Sequence, residues 1–272
     1  MDAVRNALDL AALCNTLGYT GMSSIPNATS VERALAILDA LDNSKRGMNI
    51  SELSRKLSIP KSSAHVIVVT LERLGYVERK PDSLLYHLGL KAYGLGRGMN
   101  KNLPVGEIAL PGMRRLVDQI HLPAHLAVPD GNQGVYIQKV EAPGLIKFDT
   151  YIGRRMDLHC TGVGKVILTW GPAEIAEHVL SKPTYIRYTR NTITSPKALR
   201  RELSRARACG YAVDDEEEEI GVRCVAVPVF QPNGQFTAGL SVTGTTSQIP
   251  LDSIDALAQR LRQTAAGFFA AA

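Results

Sequence analysis

Between residues 49 and 88 the apolar positions keep a helical spacing twice and then begin to alternate. Ile50, Leu53 and Leu57 repeat along one helical face, and Asn49 stands where it can cap that helix. Pro60 opens a second helix at its first position, where a missing N–H costs little, and Gly75 stands where the helix ends. The buried stripe of this second helix reads Ala64, Ile67, Val68, Leu71 and Leu74. Its opposite face carries Lys61, Ser62, Ser63, His65, Val69 and Arg73. YVERK and LLYHL then read as two strands around a turn at Pro81-Asp82-Ser83. A preceding helix, capped by Ser30, places Val31, Ala34, Leu35, Leu38 and Leu41 on one face and completes a three-helix core. Helix, turn, helix and hairpin over residues 30–89 predict a winged helix-turn-helix. The small polar and basic residues at the first turn of its second helix suit entry into a major groove.

The texture changes further along. Residues 1–29 are rich in turn-formers toward their end and read as a flexible extension, and residues 90–102 read as a linker helix softened by closely spaced glycines. A helical pattern resumes over 105–121, with Pro111 forcing a kink or a restart. AHLAVPD, the turn DGNQG and VYIQKVEA predict a hairpin, and LIKFDTY a further strand. CTGVGKVILTW and PAEIAEHVL read as helices, and Ser195-Pro196 starts another that stops at Gly210. YAVDDEE, CVAVPVF and FTAGLSVTG read as strands before a closing helix over about 251–268. Short strands joined by hairpin-length turns predict an α+β fold for 103–272, an antiparallel sheet with helices packed on it.

Composition narrows the possibilities. No stretch approaches the roughly 20 apolar residues needed to span a bilayer, and the first residues lack the basic start of a secretory signal. Cys14, Cys160, Cys209 and Cys224 lie far apart with no CxxC, which points to a reduced cytoplasmic setting and to no metal. No paired carboxylates or nucleophile–base set suggests catalysis, and no cofactor motif is present. The net charge is +5, and its placement matters more than its size. Residues 30–101 hold twelve Lys and Arg against seven Asp and Glu, whereas residues 102–272 hold eighteen against seventeen. The surplus therefore sits where phosphates would use it, although five charges in such a segment also suit an ordinary solvated surface.

Six blocks of the sequence, in order, are similar to one known family: SVERALAILDAL, ISELSRKLSIPKSSAHVIVVTLERLGYVER, YHLGLKAYGLG, HCTGVGKVIL, GYAVDDEEEEIGVRCVAVPVF and GLSVTG. The chain resembles the IclR family of bacterial transcriptional regulators over about residues 30–270. That resemblance implies a winged helix, a linker helix used in dimerisation and a GAF/PAS-like effector domain. It further implies a homodimer or a tetramer made of two dimers, bound to double-stranded operator DNA and controlling a nearby catabolic operon in response to a small-molecule effector. Ser62, Ser63 and His65 are then expected at the bases or groove edges, and Arg55, Lys61, Arg79 and Lys80 at phosphates. The family commonly has a basic residue after the histidine of the second helix. Val66 stands there in this chain, so that contact is missing or falls to Lys61 or Arg55.

CTGVGK introduces a helix through two glycines, and the free N–H groups and dipole of such a start attract an anion or a carbonyl. It is not a nucleotide P-loop, because the GxxxxGK[ST] spacing is absent. By itself the segment reads first as an ordinary glycine-assisted helix start, and the resemblance turns it toward the effector. The same resemblance implies effector contacts from Thr161, Gly162, Val163, Asp214, Cys224, Ser241 and Thr243, with Met156 and Leu158 as apolar wall. An organic, sugar or aromatic acid fits this mixture. The run Asp215–Glu219 reads as a solvated turn, and His159 beside Cys160 does not form a catalytic pair. The rival reading is a sensor or enzyme that uses the winged helix as a protein-interaction module.

Overall fold

The computed structural model describes residues 29–80, 82–100 and 104–270, the side chains of 97–100 excepted. The expected extension over 1–29 and Pro81 of the expected turn therefore lie almost wholly outside the described residues. The chain divides into two compact units between residues 103 and 104.

The first unit contains α1 (Thr29–Asp42), α2 (Ile50–Lys56), α3 (Lys61–Arg73), β1 (Val77–Arg79), β2 (Tyr86–Leu88) and α4 (Leu90–Asn100). Asn49 and Glu52 form a reciprocal capping box that starts α2, each side chain bonded to the other's backbone N–H at 2.9 Å. The turn to α3 passes through Ser58 at φ +52° and is held by the Ser54 hydroxyl donating to the Ile59 carbonyl at 2.6 Å. Gly75, at φ +81°, ends the following turn, and β1 pairs antiparallel with β2, Val77 opposite Leu88. Ile37, Leu41, Leu53, Val68, Leu71, Val77 and Tyr86 make the core.

One helix is rotated from the expected face. Ser30 lies inside α1 rather than capping it, and Val31 and Leu35 are 58% and 56% exposed. The buried side is Ile37, Ala40 and Leu41, because α1 meets α3 and β2 on that side and the small unit leaves Val31 and Leu35 uncovered.

The second unit runs α5 (Val105–Ile120), β3 (Ala124–Asp130), β4 (Gln133–Val140), β5 (Arg155–Met156), α6 (Gly162–Trp170), α7 (Ala173–Ser181), α8 (Pro196–Cys209), β6 (Ala212–Asp215), β7 (Val222–Phe230), β8 (Phe236–Thr245) and α9 (Ile254–Ala266). Its six strands are ordered β5-β4-β3-β8-β7-β6 and pair antiparallel throughout. Alternation divides the sheet into two faces. Leu126, Val128, Val225, Val227, Leu240 and Val242 pack against Met113 and Leu116 of α5 and Leu257 and Leu261 of α9. The other face offers Ala127 and Ala226 to Val163 and Val166 of α6. Beyond α6, Ile167 and Leu168 pack with Val179 of α7 and Leu199 and Leu203 of α8.

Two expectations change here. LIKFDTY is not a strand, and the outer strand is the two-residue β5 beside Gly134 and Val135. Leu145 is fully exposed and Ile146 53% exposed, so alternation there buries nothing. The carbonyls of Phe148 and Thr150 accept from the Lys139 ammonium at 3.2 and 2.6 Å instead of from a neighbouring strand. Helix α5 runs unbroken through Pro111, which sits on its exposed side where the lost hydrogen bond to Glu107 is open to water.

Candidate functional site

Helix α3 turns its polar side outward. Lys61, Ser62, His65, Val66, Val69 and Arg73 are exposed, while Ala64, Val68 and Leu71 are buried. Arg55 of α2 and Arg79 and Lys80 at the hairpin are exposed as well. The Arg79 guanidinium lies 5.9 Å from the ring centroid of Tyr86, its partner in the strand pair next to the turn. Ser63 differs from its neighbours, being half-buried and accepting from Arg33 of α1 at 3.3 Å. Val66 is 64% exposed, an apolar side chain on a polar stripe.

In the second unit the strand register gathers residues distant in sequence. Asp214 pairs with Cys224 across β6 and β7, and Cys224 with Thr243 across β7 and β8. One row along, Ala226 faces Ser241, which faces His125 of β3. These two rows share the face that α6 covers. A Cβ on Gly162 would stand 3.3 Å from the Ala226 Cβ and 3.5 Å from that of Cys224, so the start of α6 touches this floor. Thr161 caps α6 by accepting from Gly164 N–H at 3.1 Å and donates to the Asp157 carbonyl at 2.9 Å. A Cβ on Gly164 would meet the Leu158 backbone at 2.5 Å, which is why glycine stands there. The N–H groups of Gly162 and Val163 have no acceptor among the described residues.

Burial controls the chemistry of this floor. Asp214 is 1% exposed, and loss of solvent raises its pKa to about 7 although its Oδ1 accepts from Glu217 N–H at 2.8 Å. Burial, with Asp214 beside it, pushes the Cys224 thiol well up, and its Sγ lies 3.2 Å from Thr243 Oγ1. Met156 packs near Gly134 and joins the cluster of Tyr136 and Val163, whereas Leu158 packs with Ile167, Leu168 and Val179 on the helical side. A cavity of about 590 Å³ among α6, α7 and α8, lined by Leu168, Leu203 and Arg207, is separate from this floor.

The acidic run is more structured than a solvated turn. Lys165 is fully buried, its ammonium 2.5 Å from Glu217 Oε1 and 3.4 Å from Glu202 Oε1, so the lysine of CTGVGK serves the core rather than a phosphate. Arg154 pairs with Glu218 at 3.2 Å and Arg223 with Asp215 at 2.6 Å. His159 stacks on Tyr185 and lies 2.9 Å from the Ile186 carbonyl, and burial raises the pKa of the Cys160 thiol. Sequence reasoning missed His125 and Tyr136, both buried beside these rows, their ring centroids 5.1 Å apart. The alternation of AHLAVPD carried the signal, since it puts His125 with Ala127 and opposite Leu126.

No helix among the described residues is long and apolar enough to cross a membrane. Residues 30–81 match the IclR helix-turn-helix domain, and residues 98–268 match the bacterial transcriptional regulator IclR C-terminal domain. The chain is 34% identical over 240 residues to the HTH-type transcriptional regulator XynR of Escherichia coli K12, across 88% of this chain and 95% of that one. The Thermotoga maritima IclR crystal structure superposes with a TM-score of 0.74 at 33% identity, covering 90% of this chain and 99% of that one. An IclR homolog from Microbacterium hydrocarbonoxydans, complexed with 4-hydroxybenzoate, gives 0.78 at 26% identity, covering 89% and 100%. With both domain models matched in order and a relative of this identity along nearly its whole length, the chain belongs to the IclR family, DNA-binding transcriptional regulators with a ligand-binding C-terminal domain.

Proposed function

We propose that this regulator works in the cytoplasm as a homodimer or a dimer of dimers, controlling a nearby catabolic operon in response to a small organic, sugar or aromatic acid. The outward polar stripe of α3 carries the reading: Lys61, Ser62 and His65 lie exposed at the end of the helix that would enter the groove. Ser62 and His65 meet base edges, Ser63 meets a groove edge while bound to Arg33, and Arg55, Lys61, Arg79 and Lys80 meet phosphates. The acid's charged end sits at the N–H groups that open α6, with Thr161, Gly162 and Val163 above and Asp214, Cys224, Ser241 and Thr243 below. Met156 supplies apolar wall, whereas Leu158, expected beside it, backs the start of α6 from the helical side. The 4-hydroxybenzoate named for the Microbacterium homolog supports an acid of this size. Binding to one arrangement of the paired subunits more tightly than to another shifts operator affinity, with a coupling of about 1–3 kcal/mol.

A mobility-shift titration of the full chain on its own upstream DNA, with and without candidate acids, tests this. The expected result is a specific shift that one acid alters about fivefold or more. A shift equally strong on random DNA, or none at all, overturns it.

A further inference from the structure

Hydrogen bonding within the ligand-binding domain leaves several polar groups of the sheet floor unused. His125 is fully buried, with Nε2 2.8 Å from Thr150 Oγ1 and Nδ1 unpartnered among the described residues. Ser241, directly opposite it across β3 and β8, is 1% exposed, and its hydroxyl has no partner among the described residues. The Tyr136 ring lies 5.1 Å from the imidazole, and its hydroxyl, which feels the charges of Cys224 and Asp214, is unpartnered in the same sense. The buried, unpaired imidazole nitrogen, flanked by two hydroxyls that have no partner of their own among the described residues, marks a surface built for something else to complete.

Their chemistry limits what that is. Burial holds the His125 imidazole neutral, with its pKa brought down to about 3, and Lys139 and Arg154 nearby act in the same direction. Neutral imidazole, hydroxyl and phenol all match an alcohol or phenol, which donates and accepts at one atom. A carboxylate, which only accepts, is better served by the amide groups that open α6.

We propose that His125, Ser241 and Tyr136 form a hydroxyl-reading subsite, so that the effector is a hydroxy acid whose carboxylate lies at α6 and whose hydroxyl lies at the histidine and serine. This rests on the reading of that face as the effector site. Thermal-shift titration of the full chain with two matched pairs tests it: gluconate against hexanoate for an alcohol, 4-hydroxybenzoate against benzoate for a phenol. The hydroxylated member of one pair is expected to stabilise the protein, with half-saturation about tenfold to a hundredfold weaker for its deoxy partner. That gap should shrink in Ser241→Ala and in Tyr136→Phe, each of which removes a single oxygen. Equal half-saturation within both pairs overturns the subsite and leaves acid binding standing. No stabilisation by any of the four overturns both readings, and a gap that neither substitution changes removes these residues from it.

Discussion

Asp214 has its carboxyl where water scarcely reaches, and the consequence is a stability that depends on pH. Burial raises its pKa to about 7, well above the unfolded range near 4. The folded chain therefore holds this proton more tightly than the unfolded one. The stabilisation is complete below about pH 4 and is lost as pH rises through about 7. Asp214→Asn keeps an oxygen that can accept from Glu217 N–H and removes the charge. The melting temperature of this variant should gain on the wild type from pH 5 to about pH 7 and level off above that, by an amount worth at most a few kcal/mol. A difference between the two proteins that stays constant across that interval would show that the carboxyl titrates normally.

At the scale of single elements, α2 shows how much a cap does for a short helix. Seven residues form no stable helix alone, so α2 depends on Leu53 in the core and on the Asn49–Glu52 capping box. Asn49→Ala should cost about 1 kcal/mol and raise hydrogen exchange of the α2 amides roughly fivefold, leaving α8 unaffected. Exchange unchanged in α2 would mean that packing alone holds it. Elements with strong local punctuation could be read from the chain itself. Ser195, Pro196 and Gly210 bound α8 as expected, Gly210 in the left-handed conformation at φ +79°. The hairpin of β7 and β8, with its Pro-Asn-Gly turn, is equally plain. LIKFDTY was misleading because alternation reports a strand only where one side is buried, and Leu145 is buried on neither. Within the site, Ser241 and Thr243 share a face as their spacing requires, but His125 joins them only through the register of β3 on β8. No local pattern encodes a pairing across more than a hundred residues.

For the molecule as a whole, charge is the property that separates its two tasks. Residues 30–101 carry a net +5 and residues 102–272 a net +1, so nearly all the surplus belongs to the part that meets DNA. Binding to a polyanion releases condensed counterions, one for roughly each phosphate neutralised, and this term depends on the cations at the interface rather than on total charge. Lys61 and Arg79 are exposed on α3 and on the hairpin, whereas Lys197 is exposed on α8 in the other unit. All three remove the same charge when changed to alanine, yet only two of them are assigned to phosphates. Lys61→Ala and Arg79→Ala should each weaken binding to specific and random DNA alike and lower the slope of log affinity against log salt by about one. Lys197→Ala should leave that slope alone. If all three lowered it equally, the whole surface rather than the winged helix would be neutralising the duplex; if none did, the phosphate contacts would lie on other residues.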